Sequence, residues 1–165
     1  MTQLTDAPRQ QVVNVYGNRL RVRVCGLSRD GDRLLMVRHR GMNDSDTFWC
    51  PPGGGVQFGE TAIEALRREC DEETGLIVEV DKLLFVNEFL AEPLHALELF
   101  FVVKVVGGVL QPGFDPEMEA DEQLISGVQW MTFDELKACL PADVHSLFSR
   151  CQSLDEVYRL SGYLT

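Results

Sequence analysis

The chain has 165 residues, enough for one domain with a sizeable core, and its 45% hydrophobic content excludes general disorder. With 26 Asp and Glu against 15 Lys and Arg the net charge is −11, so a nucleic-acid polymer, which needs a basic surface, is not an expected partner. The acidic surplus suits a divalent cation if enough of it gathers at one place, the remaining acids serving solubility.

In chain order, residues 1–18 are polar and are expected to be loosely held, ahead of a single domain over residues 19–165. From Leu20 to Val24 apolar residues alternate with Arg21 and Arg23, which predicts a half-exposed strand. Arg29-Asp30-Gly31-Asp32 reads as a turn and Leu34–Val37 as a second strand. Residues 41–59 form a long Gly/Pro-rich loop, a type that in compact domains is usually functional. Thr61-Ala-Ile-Glu64 is a capping box that opens a helix, and Gly75 after Thr74 closes it. Strands are predicted near 76–80, 82–89, 97–106 and 126–131, with a turn or bulge at Gly107-Gly108. Thr132-Phe-Asp-Glu135 is a second capping box, whose helix Pro141 ends or bends. Val144, Leu147, Phe148, Cys151 and Leu154 suggest a C-terminal helix, expected either to pack on its own domain or to mediate a homodimer. This order of elements predicts an α/β domain with a mixed sheet covered by helices.

Cys25, Cys50, Cys70, Cys139 and Cys151 are odd in number and form no CxxC, so neither a zinc site nor a disulfide framework is expected. Reduced thiols of a cytoplasmic protein are the expectation. The first ten residues carry no apolar core of a signal peptide. No run approaches the roughly 20 apolar residues of a membrane span, so no membrane partner is expected.

The chemistry concentrates between Gly53 and Leu76. At 100° per residue, Ile63, Leu66 and Cys70 share one stripe of the helix, while Glu69, Glu72 and Glu73 share an arc of about 100° beside it. One stripe can anchor the helix while the neighbouring arc presents three carboxylates to a common point. Such like charges repel by roughly 0.2–0.5 kcal/mol per pair on an exposed helix, and a cation at their focus converts that cost into binding. Hard oxygen ligands favour Mg²⁺, with Mn²⁺ as substitute, over zinc. Arg68 stands four residues before Glu72, in reach to orient a carboxylate. Gly53, Gly54 and Gly55 let backbone approach a phosphate or metal without a Cβ in the way.

Within this stretch, Gly54, Glu60, Arg68-Glu69-Cys70-Asp71-Glu72-Glu73-Thr74-Gly75-Leu76 matches every fixed position of the Nudix signature. Cys70 stands where a bulky aliphatic is usual. The chain thus resembles the Nudix hydrolases over residues 54–76 and in the flanking Trp49 and Pro52–Gly55.

The resemblance implies an α/β/α sandwich and a metal-dependent hydrolase acting on a nucleoside diphosphate linked to another moiety. By position it implies Glu69, Glu72 and Glu73 as metal ligands with a backbone carbonyl at Gly53 or Gly54. Arg68 would orient a carboxylate, and Glu60 would hold the loop or reach metal through water. The general base would be a glutamate of the signature or an acid of residues 115–122, with Glu119 and Glu122 preferred over Asp115, Glu117 and Asp121. Arg38 and Arg40, with His39 between them, are candidates for substrate phosphate. Phe48 and Trp49 are candidates for stacking on a base, core packing being the competing role. His95 and His145 look isolated from other ligand types and are read as structural. Pro93 lies near the position of a proline found in some ADP-ribose hydrolases of this family. An ADP-ribose or nucleotide-sugar substrate is therefore placed ahead of a (deoxy)nucleoside triphosphate. A non-catalytic nucleotide sensor remains the alternative of a different class.

Overall fold

The computed structural model describes residues 7–114 and 123–165, with nothing stated of the side chains of residues 7–9 and 11. The acids of residues 115–122, Glu119 and Glu122 among them, therefore lie outside the described residues.

Ala7–Tyr16 form a helix, α1, with Val12 buried in a small cluster with Leu124. An element here was not anticipated, because so few apolar residues in a polar stretch leave little periodic signal. The strands β1 (Arg19–Leu27), β5 (Gly53–Gly55), β6 (Leu76–Ala91), β7 (Leu94–Gly108) and β9 (Gly162–Leu164) build one mixed sheet in the order β5-β1-β7-β6-β9. β1 runs parallel to β7, whereas β6 and β7 form a long antiparallel hairpin. The expected break between strands at residue 81 is instead an irregularity of register between Val80 and Lys82 within continuous β6. A bulge accommodates one unpaired residue without ending the strand.

A second sheet consists of β2 (Arg29–Asp30), β3 (Arg33–His39), β4 (Phe48–Cys50) and β8 (Ile125–Thr132), with β8 paired to β3. The long loop expected over 41–59 thus contains two short strands, β4 and β5. Backbone pairing with β3 and β1 accounts for them, since β5 is all glycine and has no side-chain pattern to read.

The helix α2 (Ala62–Thr74) packs Ala65, Leu66 and Cys70 against Val24, Val78, Phe101 and Val103 on one face of the first sheet. The other face, through Cys25, Leu27, Phe85 and Phe100, meets Leu34 and Met36 of the second sheet, together with α3 (Phe133–Ala138) and the C-terminal residues. Ile63, expected on the buried stripe of α2, is instead 42% exposed, while its neighbour Ala62 packs against the core of that face.

The predicted C-terminal helix is replaced by 3₁₀ turns at Pro141–Asp143 and Ser146–Arg150, followed by a one-turn helix α4 (Leu154–Val157). Val144, Leu147, Phe148, Cys151 and Leu154 are all buried as expected. Their spacing of mostly three residues fits 3₁₀ turns as well as an α-helix. Among the described residues no helix is long and apolar enough to cross a membrane.

Candidate active site

Both ends of α2 are closed by local chemistry. Thr61 accepts the Glu64 N–H while the Glu64 carboxylate accepts the Thr61 N–H, and Gly75 at φ 68° lets its N–H reach the Asp71 carbonyl. The helix is thereby held against the glycine strand β5. A cavity of about 960 Å³ opens at this junction, lined by Gly53, Gly54 and Gly55, by Glu69, Glu72 and Glu73, and by β1, α1 and the turns after Pro141.

Arg68 organises the helix side of the site. Its guanidinium donates to both carboxylate oxygens of Glu60 (3.1 and 2.7 Å), to Glu69 (2.9 Å), to Glu72 (3.1 Å) and to the Gly55 carbonyl (3.2 Å). Glu60 also accepts the Gln57 N–H at 2.8 Å, so it ties the loop to the helix. Glu73 is held separately. One oxygen accepts the Gly53 N–H at 2.9 Å and the other accepts from His39 Nε2 at 3.2 Å. His39 Nδ1 stands 3.5 Å from the Cys50 sulfur. Burial pulls the His39 imidazole toward its neutral form, but the contacts with Cys50 and Glu73 outweigh it and hold its pKa well above the ordinary value.

The side chains of Glu69, Glu72 and Glu73 are 15%, 29% and 8% exposed, so they are not splayed into solvent. They are divided between two anchors, Arg68 and the His39–Gly53 pair. Among the described residues no three His, Cys, Asp or Glu side chains already stand together as a metal cluster.

The environment nevertheless fits a hard divalent cation. Burial, then the charge of Glu73, push the Glu69 carboxyl up to about 7 against the opposing pull of Arg68. A positive ion would relieve that repulsion. A Cβ at Gly54 would lie only 2.3 Å from the Glu69 carboxylate, so β5 leaves room that only glycine permits. All side-chain donors of the set are carboxylate oxygens, the class that Mg²⁺ and Mn²⁺ prefer.

Two expected substrate residues face elsewhere. Arg38 donates to Ser126 Oγ and to the Ser126 carbonyl, both at 3.0 Å, and lies over Trp49, its guanidinium carbon 5.8 Å from the ring centroid. Arg40 pairs with Asp46 at 2.9 Å on the surface. Neither lines the cavity, whereas His39 does; Arg38 and His39 are neighbours at the end of β3 and point to different sides, and Arg40 lies beyond the strand. The same alternation sends Phe48 to the cavity and Trp49 to Arg38.

Sequence reasoning missed a buried polar network on the opposite wall. Glu98 of β7 accepts from Asn87 Nδ2 and from His145 Nε2, both at 2.9 Å, and lies 3.4 Å from Arg23 Nη1. His145 Nδ1 accepts the Leu147 N–H at 3.1 Å, which places the ring proton on Nε2. Burial pushes the Glu98 carboxyl up, but His145 and Arg23 outweigh it and the pKa falls to about 2. His145 is therefore structural but not isolated, and His95 likewise bonds Glu88 at 2.8 Å. A lone acid within the apolar run Ala96-Leu-Glu98-Leu-Phe100 was the available signal.

Comparison with known proteins follows the same lines. The family model for the NUDIX domain matches residues 17–150. An ADP-ribose pyrophosphatase of Methanocaldococcus jannaschii is 34% identical over 118 residues, covering 70% of this chain and 69% of that protein. The mouse 8-oxo-dGDP phosphatase NUDT18 is 34% identical over 107 residues, but the match spans only 32% of its length. Among solved structures, a NUDIX hydrolase from Nitrosomonas europaea superposes with a TM-score of 0.66 at 25% identity, over 85% of this chain and 88% of that one.

Proposed function

The chain belongs to the Nudix family and is a Nudix hydrolase; from that premise we propose that it cleaves, with Mg²⁺ as cofactor and Mn²⁺ as substitute, the phosphoanhydride of a nucleoside diphosphate linked to another moiety. ADP-ribose or a nucleotide sugar is the favoured substrate class. The observation that carries the reading is that Glu69, Glu72 and Glu73 line one cavity together with the glycine strand.

Glu69, Glu72 and Glu73 would hold the metal, aided by backbone carbonyl oxygen at Gly53 or Gly54. When bound, such an ion neutralises phosphate oxygens and acidifies a coordinated water. Arg68 keeps the Glu69 and Glu72 carboxylates turned toward the cavity and, through Glu60, fixes the loop beside them. His39 and the Gly53 N–H hold Glu73 in place. Phe48 and Phe58 offer aromatic surface in the same cavity for a base or sugar face. The resemblance to the Methanocaldococcus pyrophosphatase supports the ADP-ribose preference. The five free thiols support a reducing, cytoplasmic setting.

The test is a Mg²⁺-supplemented panel of ADP-ribose, nucleotide sugars and (deoxy)nucleoside triphosphates, reading release of nucleoside monophosphate, phosphate or pyrophosphate. Metal-dependent nucleoside monophosphate release from ADP-ribose or a nucleotide sugar is expected. Pyrophosphate release from triphosphates alone would move the substrate assignment to that class, and no turnover of any compound would contradict the hydrolase reading.

A further inference from the structure

The cavity that the glutamates line also carries two arginines whose donors are only partly used. Arg21 and Arg23 lie two residues apart on β1, so both project from the same face, and both line the cavity. Arg21 lies over the Tyr16 ring of α1, its guanidinium carbon 4.0 Å from the centroid, and makes no ion pair among the described residues. Among the described residues Arg23 reaches only Glu98, through a long 3.4 Å contact from Nη1. The other oxygen of Glu98 is already taken by Asn87 and His145. The Nε of Arg23 is buried without a hydrogen-bond partner.

Two like charges thus stand side by side in the cavity with part of their donor set unused, an arrangement that an anion would complete. Burial and the neighbouring Arg23 lower the Arg21 pKa to about 10 against the pull of Tyr16 and Glu69, whereas at Arg23 burial is outweighed by nearby negative groups, Glu98 and Glu73 among them, which raise its pKa. The two arginines are also well placed relative to the acidic cluster. A Cβ at Gly54 would strike the Glu69 carboxylate, and one at Gly55 would stand 3.6 Å from Arg21 Nη2. Neighbouring strand residues point to opposite faces, so the carboxylates and the guanidinium flank β5, the last strand of its sheet, and an anion at that edge meets both.

We propose that Arg21 and Arg23 form a phosphate subsite of this cavity, binding the phosphate of a nucleoside diphosphate that is not held at the glutamate cluster. The guanidinium fork matches phosphate oxygens in pairs. Arg23 is braced for this by the Glu98–His145–Asn87 network, and Arg21 by Tyr16. Tyr16 precedes the residues 17–150 matched by the family model, so α1 adds to the site from outside that match. The identity of the anion as a substrate phosphate rests on the hydrolase reading; the existence of the anion site does not.

The test is calorimetric titration of ADP into metal-free protein in EDTA, for the wild type, Arg21→Met, Arg23→Met and Arg21→Lys, with thermal unfolding of each. Wild-type protein is expected to bind ADP with an affinity that falls as salt rises, and each Met variant to bind at least tenfold more weakly. Arg21→Met is expected to melt close to wild type, since relief of burial and of the Arg23 repulsion offsets the lost attraction of Tyr16 and Glu69, and Arg21→Lys to bind with intermediate affinity. An arginine serving only the fold would give the reverse, a lower melting temperature with unchanged ADP affinity. Absence of ADP binding by the wild type, or unchanged affinity in both Met variants, overturns the subsite. Hydrolysis with Mg²⁺ is read separately. Turnover with unchanged KM in both Met variants rejects the subsite and retains the hydrolase, whereas ADP binding that the variants lose, without turnover of any substrate, rejects the hydrolase and retains the anion site.

Discussion

Glu73 is the most buried of the three helix glutamates, with one oxygen on the Gly53 N–H and the other on His39. Glu72, by contrast, is braced by Arg68. Replacing either by glutamine removes a charge and a hard ligand while keeping the shape. Mg²⁺-dependent turnover is therefore expected to fall by about a hundredfold or more, with the melting temperature nearly unchanged. Steady-state rates beside thermal melts check this, and wild-type turnover in both variants would contradict the ligand assignment. His39 acts through Glu73, so His39→Ala is expected to raise the half-saturating Mg²⁺ concentration about 10–100-fold while leaving the rate at saturating Mg²⁺ close to wild type. A titration of rate against Mg²⁺ separates the two effects. At this scale the sequence was legible where the signature repeats a fixed spacing, as at Arg68 and Glu60. It was misleading where charge alone was followed. Arg38 and Arg40 are more strongly charged than His39, yet His39 faces the cavity while Arg38, its neighbour on β3, turns to Ser126 and Arg40, past the strand end, pairs with Asp46.

The element that matters most is α2, because its ends determine where three carboxylates stand. Thr61→Ala removes one side of the capping box and is expected to destabilise the protein by about 1 kcal/mol in denaturant unfolding. Gly54→Ala acts differently. Its Cβ would meet the Glu69 carboxylate at 2.3 Å, so turnover should fall well before stability does, and parallel rate and unfolding measurements on this variant distinguish the two. Both capping boxes, at Thr61 and Thr132, were readable because donor and acceptor lie three residues apart in the chain. β5 was not readable, since three glycines carry no pattern and only the partner strand β1 makes them a strand. The C-terminal segment showed the limit of periodicity, its buried residues being identifiable while the choice between 3₁₀ turns and an α-helix depended on contacts made elsewhere.

Across the whole molecule, the two sheets meet around a cavity whose walls carry opposite charge, carboxylates from α2 and guanidiniums from β1. Glu98 links the basic wall to the C-terminal turns through His145. Its pKa is depressed from 4.5 to about 2 in the fold. The stabilisation it supplies is therefore fully present above about 4.5 and is lost as the pH falls through about 2. Glu98→Gln is expected to be less stable than wild type at neutral pH, with the difference shrinking across that window, as urea unfolding at stepped pH would record. This network joins residues 23, 87, 98 and 145, whose separation along the chain left only a lone buried acid as a clue.

The central claim is that the glutamates of α2 share a divalent ion, and Mn²⁺ binding followed by electron paramagnetic resonance tests it most directly. Wild-type protein should deplete the free-ion signal saturably, and Glu72→Gln and Glu73→Gln should each weaken that binding about tenfold or more. Equal Mn²⁺ binding by the wild type and both variants would contradict the account.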